Sequence, residues 1–438
     1  MIVGDLVQLL YRVPGAPRIF FHRDLGRLGR FLNALARLYR RHVIADTRLV
    51  AVVGSLGKTT TRRALHAALA CPDRRFAYSN YGVKLAMNLL RVRRGDSHAV
   101  IEAGIGGPGY MAGYARMLQP DIAVMTSISS EHSRSFPTLD ETRNEKVKMI
   151  SALGPAGIAV LNGDDSRVRW MATQTRARVI TFGLDEGNDV RGINLRETPD
   201  GLAFDAVLKT GTHPVRTRFL GTHMAYPFLA AMAVAELEGI AMDGVLARLA
   251  ELEPADSRMA LVRLSNGVTI VDDSFKNSLE TIHAAFSAFA AMPATRRIVV
   301  LGGVESPPGK QGDINRELGM RLGQFADQVI CAGGRGMSGV RTGAVASGMD
   351  EKAVRLLGED HESVAALLAA ELRAGDAVLI KGRSTQRLRR VVLRLMGRPV
   401  TCSVGHCNVK VASCDVCPLL DASPDLFDNR FIARFIRA

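Results

Sequence analysis

Gly54-Ser55-Leu56-Gly57-Lys58-Thr59-Thr60 is the stretch of this chain whose residue types most plainly carry chemistry. Two glycines ahead of a lysine and a hydroxyl suit a bound phosphate. The glycines expose backbone N–H groups, Lys58 reaches the terminal phosphates, and the Thr59 hydroxyl is a ligand for Mg²⁺. The loop is shorter than the common G-x-x-x-x-G-K-[ST] form, because Val52 stands where that form has its first glycine. Further along, Glu102 follows the apolar "HAVI" and His132 lies in "TSISSEHSRSF". Each alone reads as a solvated carboxylate or a hydrogen-bonded imidazole. Their shared place after apolar runs makes them candidate metal ligands beside the phosphates.

The elements that must hold these groups are legible around them. Leu49 to Val53 is a valine-rich run that suits a buried parallel strand, and Thr60 to Ala70 has a helical composition, so the loop is a strand-to-helix turn. Apolar runs at Ala99–Ile101, Ile122–Thr126, Gly157–Leu161 and Arg178–Phe182 alternate with helical stretches. That alternation predicts an α/β fold, a parallel sheet covered by helices, with ligands at the carboxyl ends of the strands.

The whole chain bounds the rest. Its 438 residues, 47% hydrophobic, predict about three domains with real cores. A net charge of +14, from 57 basic and 43 acidic residues, predicts anionic partners. The first 48 residues hold nine arginines and three acids, and Leu25, Leu28, Leu32, Leu35 and Leu38 recur there at helical spacing. This predicts a basic amphipathic helix docked on the neighbouring domain with a solvated arginine face; an anionic membrane surface is the other place for it. Arg383 to Arg398 is basic without interleaved aromatics, which argues against nucleic acid as a partner. No apolar run reaches the length of a membrane span and the start lacks a basic signal region, so a cytoplasmic protein is expected, with the inner membrane surface open to it.

The succession "GSLGKTTT", "SNYGVKLAMNLL", "VIEAGIGGPGYM", "PDIAVMTSISSEHSRSF", "NEKVKMI", "AVLNGDD", "GTHMAYPFLAA", "DSRM", "VDDSFKNSLETI", "VVLGGVES" and "GDAVLIKGRS" resembles the Mur ligase family from about Leu49 to about Val400. It is most similar to the branch that adds D-alanyl-D-alanine to UDP-N-acetylmuramoyl-tripeptide. That family uses the short loop G-x-x-G-K-T. The resemblance implies a central P-loop ATPase domain and a Rossmann-like C-terminal domain, divided here as a basic segment 1–47, an ATP-binding domain 48–257, a ligase domain 258–400 and a tail 401–438. It also implies ATP-dependent joining of a carboxylate to an amine by way of an acyl phosphate.

By the same resemblance Gly54, Gly57, Lys58, Thr59 and Thr60 would bind ATP phosphates, and Thr59 with Glu102 one Mg²⁺. His132 would bind a second Mg²⁺, supported by a carbamylated Lys146, with Lys148 close by as a competing assignment. Asn80 and Lys381 would lie near the substrates, Arg258 against the γ-phosphate, Asp273 at the ribose and Lys276 near the phosphates. The pattern departs in three places. Only about fifty residues precede the loop, where that branch has a domain gripping the uridine nucleotide, so an acceptor without that handle is expected. Asp272-Asp273-Ser274-Phe275-Lys276-Asn277-Ser278-Leu279 replaces D-D-S-Y-N-A-N-P, and Pro227 replaces an asparagine beside the base.

Beyond the resemblance, Cys402, His406, Cys407, Cys414 and Cys417 put four of the six cysteines within sixteen residues. The tail suits a Zn²⁺ knuckle, an iron–sulfur cluster or reduced thiols. The leading expectation is a ligase acting on a cell-wall-like or other carboxylate and an amino acid or peptide. The alternative is a non-catalytic ATP-binding protein that docks a partner through the tail.

Overall fold

The computed structural model describes residues 26–72, 80–130, 135–305, 309–334, 336–402, 407, 413–417 and 420–421. The chain divides into two compact units, the first running essentially to Leu252 and the second from Glu253 onward, tail included.

The first unit is built on an eight-stranded sheet in the order β2-β1-β3-β4-β5-β6-β7-β8. Its strands are β1 (Arg48–Val53), β2 (His98–Glu102), β3 (Ile122–Met125), β4 (Ile158–Asn162), β5 (Arg178–Gly183), β6 (Val190–Thr198), β7 (Gly201–Leu208) and β8 (Gly211–Thr217). β1 lies parallel between β2 and β3, with Val52 opposite Glu102 and Val53 opposite Met125. The order reverses on either side of β1, so a crevice opens at its carboxyl end, where the glycine loop begins. The valine and isoleucine runs of β1, β3 and β4 are covered on both faces, as a central parallel strand requires. β7 and β8 pair antiparallel, and the alternating burial of β7 marks a sheet with one wet face.

Helix α1 (Gly26–His42) docks on this unit by a different face from the one its leucines suggest. The face turned inward carries Gly29, Leu32, Ala36, Tyr39 and Arg40, whose small members let the backbone approach its neighbours. Arg40, one of the nine arginines of the first 48 residues, is buried rather than on the solvated face: it donates to the Leu118 and Ile44 carbonyls and pairs with Asp121 at 2.9 Å. Leu28, Phe31, Leu35 and Leu38 instead remain 41–62% exposed. Among the described residues no helix is long and apolar enough to cross a membrane.

The second unit carries a six-stranded sheet, β13-β12-β11-β14-β10-β9. Its members are β9 (Ala260–Arg263), β10 (Thr269–Asp273), β11 (Arg296–Leu301), β12 (Gln328–Cys331), β13 (Val354–Leu356) and β14 (Asp376–Lys381). All neighbours are parallel except β9, which runs against β10. Asp273 and Lys381 are register partners at the carboxyl ends of β10 and β14.

Candidate active site

In the first unit the glycine loop is pinned to the end of β3. A Cβ on Gly54 would lie 1.9 Å from Thr126 Oγ1, so only glycine lets the loop close over that hydroxyl, which donates to the Leu56 carbonyl at 2.6 Å. The Ser55 and Leu56 amides donate to Ser127. Gly57, with φ 78° in the left-handed region, then caps helix α2 (Lys58–Ala68), whose first turn holds no acid. The result is a helix N-terminus with its dipole turned to the loop and Thr60 in its first turn.

Ser55, a residue the sequence does not single out, is the hub. Lys58 Nζ donates to its carbonyl at 2.5 Å and Lys146 Nζ to its hydroxyl at 2.8 Å, while that hydroxyl donates to the Ser129 carbonyl. Both lysines are buried, at 7% and 1% exposure. Helix α3 (Leu139–Ser151) delivers Lys146; a capping box between Thr138 and Glu141 starts it, and the Glu145 carboxylate, accepting from the Met111 amide, fixes its phase. Burial would raise the Glu145 pKa, but bonds from Lys148 and from the Gly109 and Met111 amides hold it below the ordinary value. Lys148 is thereby occupied by Glu145 at the surface, and Lys146 is the lysine that reaches the loop.

Beside this hub, Thr59 Oγ1 donates to Glu102 Oε2 at 3.0 Å and Asn80 Nδ2 to Glu102 Oε1 at 2.6 Å. The buried Arg62, one turn after Thr59, lies 4.0 Å from the same carboxylate. A threonine hydroxyl and a carboxylate side by side at a helix N-terminus are hard oxygen donors, the kind that fit Mg²⁺. His132 lies outside the described residues. Pro227 occupies the first turn of the buried helix Ala225–Leu237, where its missing N–H costs nothing, and the adjacent Tyr226 hydroxyl donates to Asp164 at 2.9 Å. Burial and that carboxylate push the Tyr226 phenol above its ordinary value.

The second unit gathers another set. Lys381, fully buried, pairs with Asp273 at 2.8 Å and also donates to the Lys276 carbonyl and to Thr281 Oγ1. Burial pushes the Lys381 ammonium below its ordinary value against the pull of Asp273. Lys276 lies 3.5 Å from Glu305, and Asn277 bridges the Gly302 and Gly303 carbonyls at 3.0 Å. Arg258 lies over the Phe275 ring at 4.2 Å. Asp272, next to Asp273, is fully buried and paired with Arg389, and Arg389 is forked onto Asp415 of the tail. Cys402, Cys407, Cys414 and Cys417 form no disulfide: the Cys402 sulfur accepts from Arg390 at 3.3 Å, and burial pushes Cys414 up to about 11. Among the described residues no group of three or more His, Cys, Asp or Glu side chains is arranged to hold a metal ion; His406 lies outside them.

Comparison with known families adds two matches in order along the chain: the Mur ligase middle domain over residues 52–235, and the Mur ligase glutamate ligase domain over residues 257–384. The chain belongs to the Mur ligase family. It is 28% identical over 402 residues to the UDP-N-acetylmuramoyl-tripeptide–D-alanyl-D-alanine ligase of Mycobacterium tuberculosis, covering 84% of this chain and 77% of that one. The enzyme of the same name from Escherichia coli is 29% identical over 61% of this chain and 60% of its own. Among solved structures, MurF from Acinetobacter baumannii superposes with a TM-score of 0.75 at 20% identity, over 84% of this chain and 81% of that one. MurF ligase from Thermotoga maritima, in complex with ADP, gives 0.72 at 24% identity, over 84% and 83%. This Mur ligase is thus an ATP-dependent enzyme that forms an amide bond, on the α/β fold that the sequence predicts.

Proposed function

We propose that this ligase joins the amine of an amino acid or short peptide to a peptide carboxylate of a cell-wall precursor. One observation carries the reading: Lys58 and Lys146 converge on Ser55 of the glycine loop beside the Thr59–Glu102–Asn80 cluster. That is a place for the terminal phosphates of ATP with a hard cation next to them. The relatives' names, pairing a UDP-N-acetylmuramoyl-tripeptide with D-alanyl-D-alanine, support the substrate class.

A carboxylate is a poor electrophile, and the γ-phosphoryl group of ATP would turn its oxygen into a leaving group. ADP departs, the amine nitrogen adds to the acyl carbon, and the tetrahedral adduct expels phosphate as the nitrogen loses a proton. Negative charge concentrates at each stage, so cations and N–H groups held in place beforehand supply the catalysis. In this reading Lys58 and the loop amides hold the β- and γ-phosphates. Thr59 and Glu102 would hold Mg²⁺, which neutralises phosphate charge when bound. Lys146, buried against Ser55, suits carbamylation, which replaces an ammonium with an oxygen ligand, with His132 as its partner at a second Mg²⁺. Asn80 orients Glu102 near the acceptor. From the second unit, Arg258 meets the γ-phosphate, Asp273 the ribose, and Lys276 and Lys381 the phosphates and the amine substrate. Zinc in the tail is outside this reading, because among the described residues no three such ligands converge.

The exposed Leu28, Phe31, Leu35 and Leu38, flanked on α1 by arginines, also support peripheral contact with an anionic membrane. Phe31→Asp should then lower retention on phosphatidylglycerol vesicles; equal retention would remove that contact. The main test is ADP release from Mg-ATP, with UDP-N-acetylmuramoyl-tripeptide and D-alanyl-D-alanine set against nucleotide-free peptide acceptors with amino acids. Turnover that needs both a peptide carboxylate and an amine is expected. ADP release indifferent to both would overturn the reading.

A further inference from the structure

Arg258 is held in an uncommon backbone. Ser257 and Met259 on either side of it have φ of 58° and 53°, the left-handed region that non-glycine residues seldom occupy, at a cost of about 1 kcal/mol or more each. Two adjacent carboxylates hold the segment there. Ser257 Oγ donates to Asp272 Oδ2 at 3.0 Å, and the Met259 amide donates to Asp273 Oδ1 at 3.3 Å. The Phe275 amide closes the loop on the Ser257 carbonyl at 3.1 Å, beneath the ring that the Arg258 guanidinium covers.

Asp272 is in turn fixed from the far end of the chain. It is fully buried; Ser274 donates to its Oδ1 and Arg389 Nη1 to its Oδ2 at 2.9 Å. A single bond would leave Arg389 free to turn. Instead its Nε and Nη2 form a two-pronged contact with Asp415, at 2.9 and 2.8 Å, which sets the guanidinium plane. Asp415 sits in the short turn Cys414–Val416, where the Ser413 hydroxyl accepts from its amide and donates to its carboxylate, and Arg398 lies 3.6 Å away. Every link of this series lies within the second unit.

We propose that the tail turn Ser413–Cys417 is a positioning device for Arg258: Asp415 orients Arg389, Arg389 holds Asp272, and Asp272 holds Ser257 so that Arg258 is presented to the terminal phosphate of ATP. The proposal rests on the reading above that Arg258 meets that phosphate. In this series Asp415 and Arg389 act through Asp272, so they should affect ATP through its γ-phosphate and leave ADP affinity in place.

The test is calorimetric binding of Mg-ATP and Mg-ADP to the full chain without acceptor or amine, for Asp415→Asn, Asp415→Glu, Arg389→Lys, Arg258→Ala and the double variant Asp415→Asn/Arg258→Ala. Arg258→Ala should lower the preference for ATP over ADP by about tenfold or more, the size of a lost charged hydrogen bond. Asp415→Asn and Arg389→Lys should each lower it by about threefold to tenfold, Asp415→Glu should restore it in part, and Asp415→Asn should add nothing once Arg258 is gone. Asp415→Asn keeps the shape of the side chain, so it carries the test even where Arg389→Lys fails to fold. An unchanged preference in Asp415→Asn, or an equal loss with and without Arg258, would overturn the relay alone. An unchanged preference in Arg258→Ala would overturn the role given to Arg258, and the proposal with it.

Discussion

The lysines gathered at the glycine loop and the cations gathered behind the end of β10 have different settings. In the first, Lys58 and Lys146 both donate to Ser55, one to its carbonyl and one to its hydroxyl. In the second, Lys381 and Arg389 are seated on the carboxylates of Asp273, Asp272 and Asp415. A hydroxyl or carbonyl acceptor contributes a hydrogen bond but no opposing charge. A carboxylate partner cancels the charge and makes the pair expensive to separate. The Asp272–Arg389–Asp415 pairs suit a framework that must not move.

Variants can break this contrast. The largest effect is expected at the loop: Lys58→Ala should lower the rate of ADP release by about 10²- to 10³-fold, the scale of one lost charge-stabilising donor, while the melting temperature changes little. Retained turnover would take Lys58 out of the reaction. The opposite pattern is expected for Asp272→Ala, which strands Arg389 without its buried partner. Denaturant unfolding should show the second unit destabilised by about 3 kcal/mol, and an unchanged midpoint would mean the pairing is not structural.

The smallest effect tests a carboxylate pair whose cation is partly solvated. At the start of β14, Arg296 forms a fork on Asp376, with Nε–Oδ1 at 3.0 Å and Nη2–Oδ2 at 2.6 Å, and this holds the Asp376 carboxyl below its ordinary 3.8. Because the folded value is depressed, the stabilisation is present above 3.8 and is lost as pH falls through the folded value. Asp376→Asn should therefore cost about 1 kcal/mol or less at neutral pH, discounted for the exposed arginine, and nothing in strong acid. A deficit that persists at low pH would assign the effect to packing.

Much of this was legible in the sequence because it is local. β1, the loop and α2 follow from a valine run, two glycines and a helical composition within about twenty residues, and β2 to β5 fall on the predicted apolar runs. The groups that read poorly depend on contacts distant in sequence. Ser55 is an ordinary loop serine until Lys146 arrives, 91 residues later. Arg389 and Asp272, 117 residues apart, are each unremarkable in a basic helix and an acidic strand end. Helix α1 shows a different limit: leucine spacing marks an apolar stripe, but residue size chose the docking face, and Gly29 and Ala36 packed where the leucines could not approach as closely. The strands β6 to β8 went unread because half-exposed strands with polar alternation give a weak signal beside the buried runs.

The Asp272–Arg389–Asp415 series also has a consequence for synthesis. Asp272 lies at the end of β10, whereas Arg389 and Asp415 both follow β14, so the clasp on Arg389 is the last part of the series to leave the ribosome. The corner that holds Ser257 is therefore finished by a late event, and chains interrupted after β14 should accumulate with both sheets formed and that corner loose. The order of synthesis thus places the nucleotide loop early in the chain and the clasp on Arg389 late.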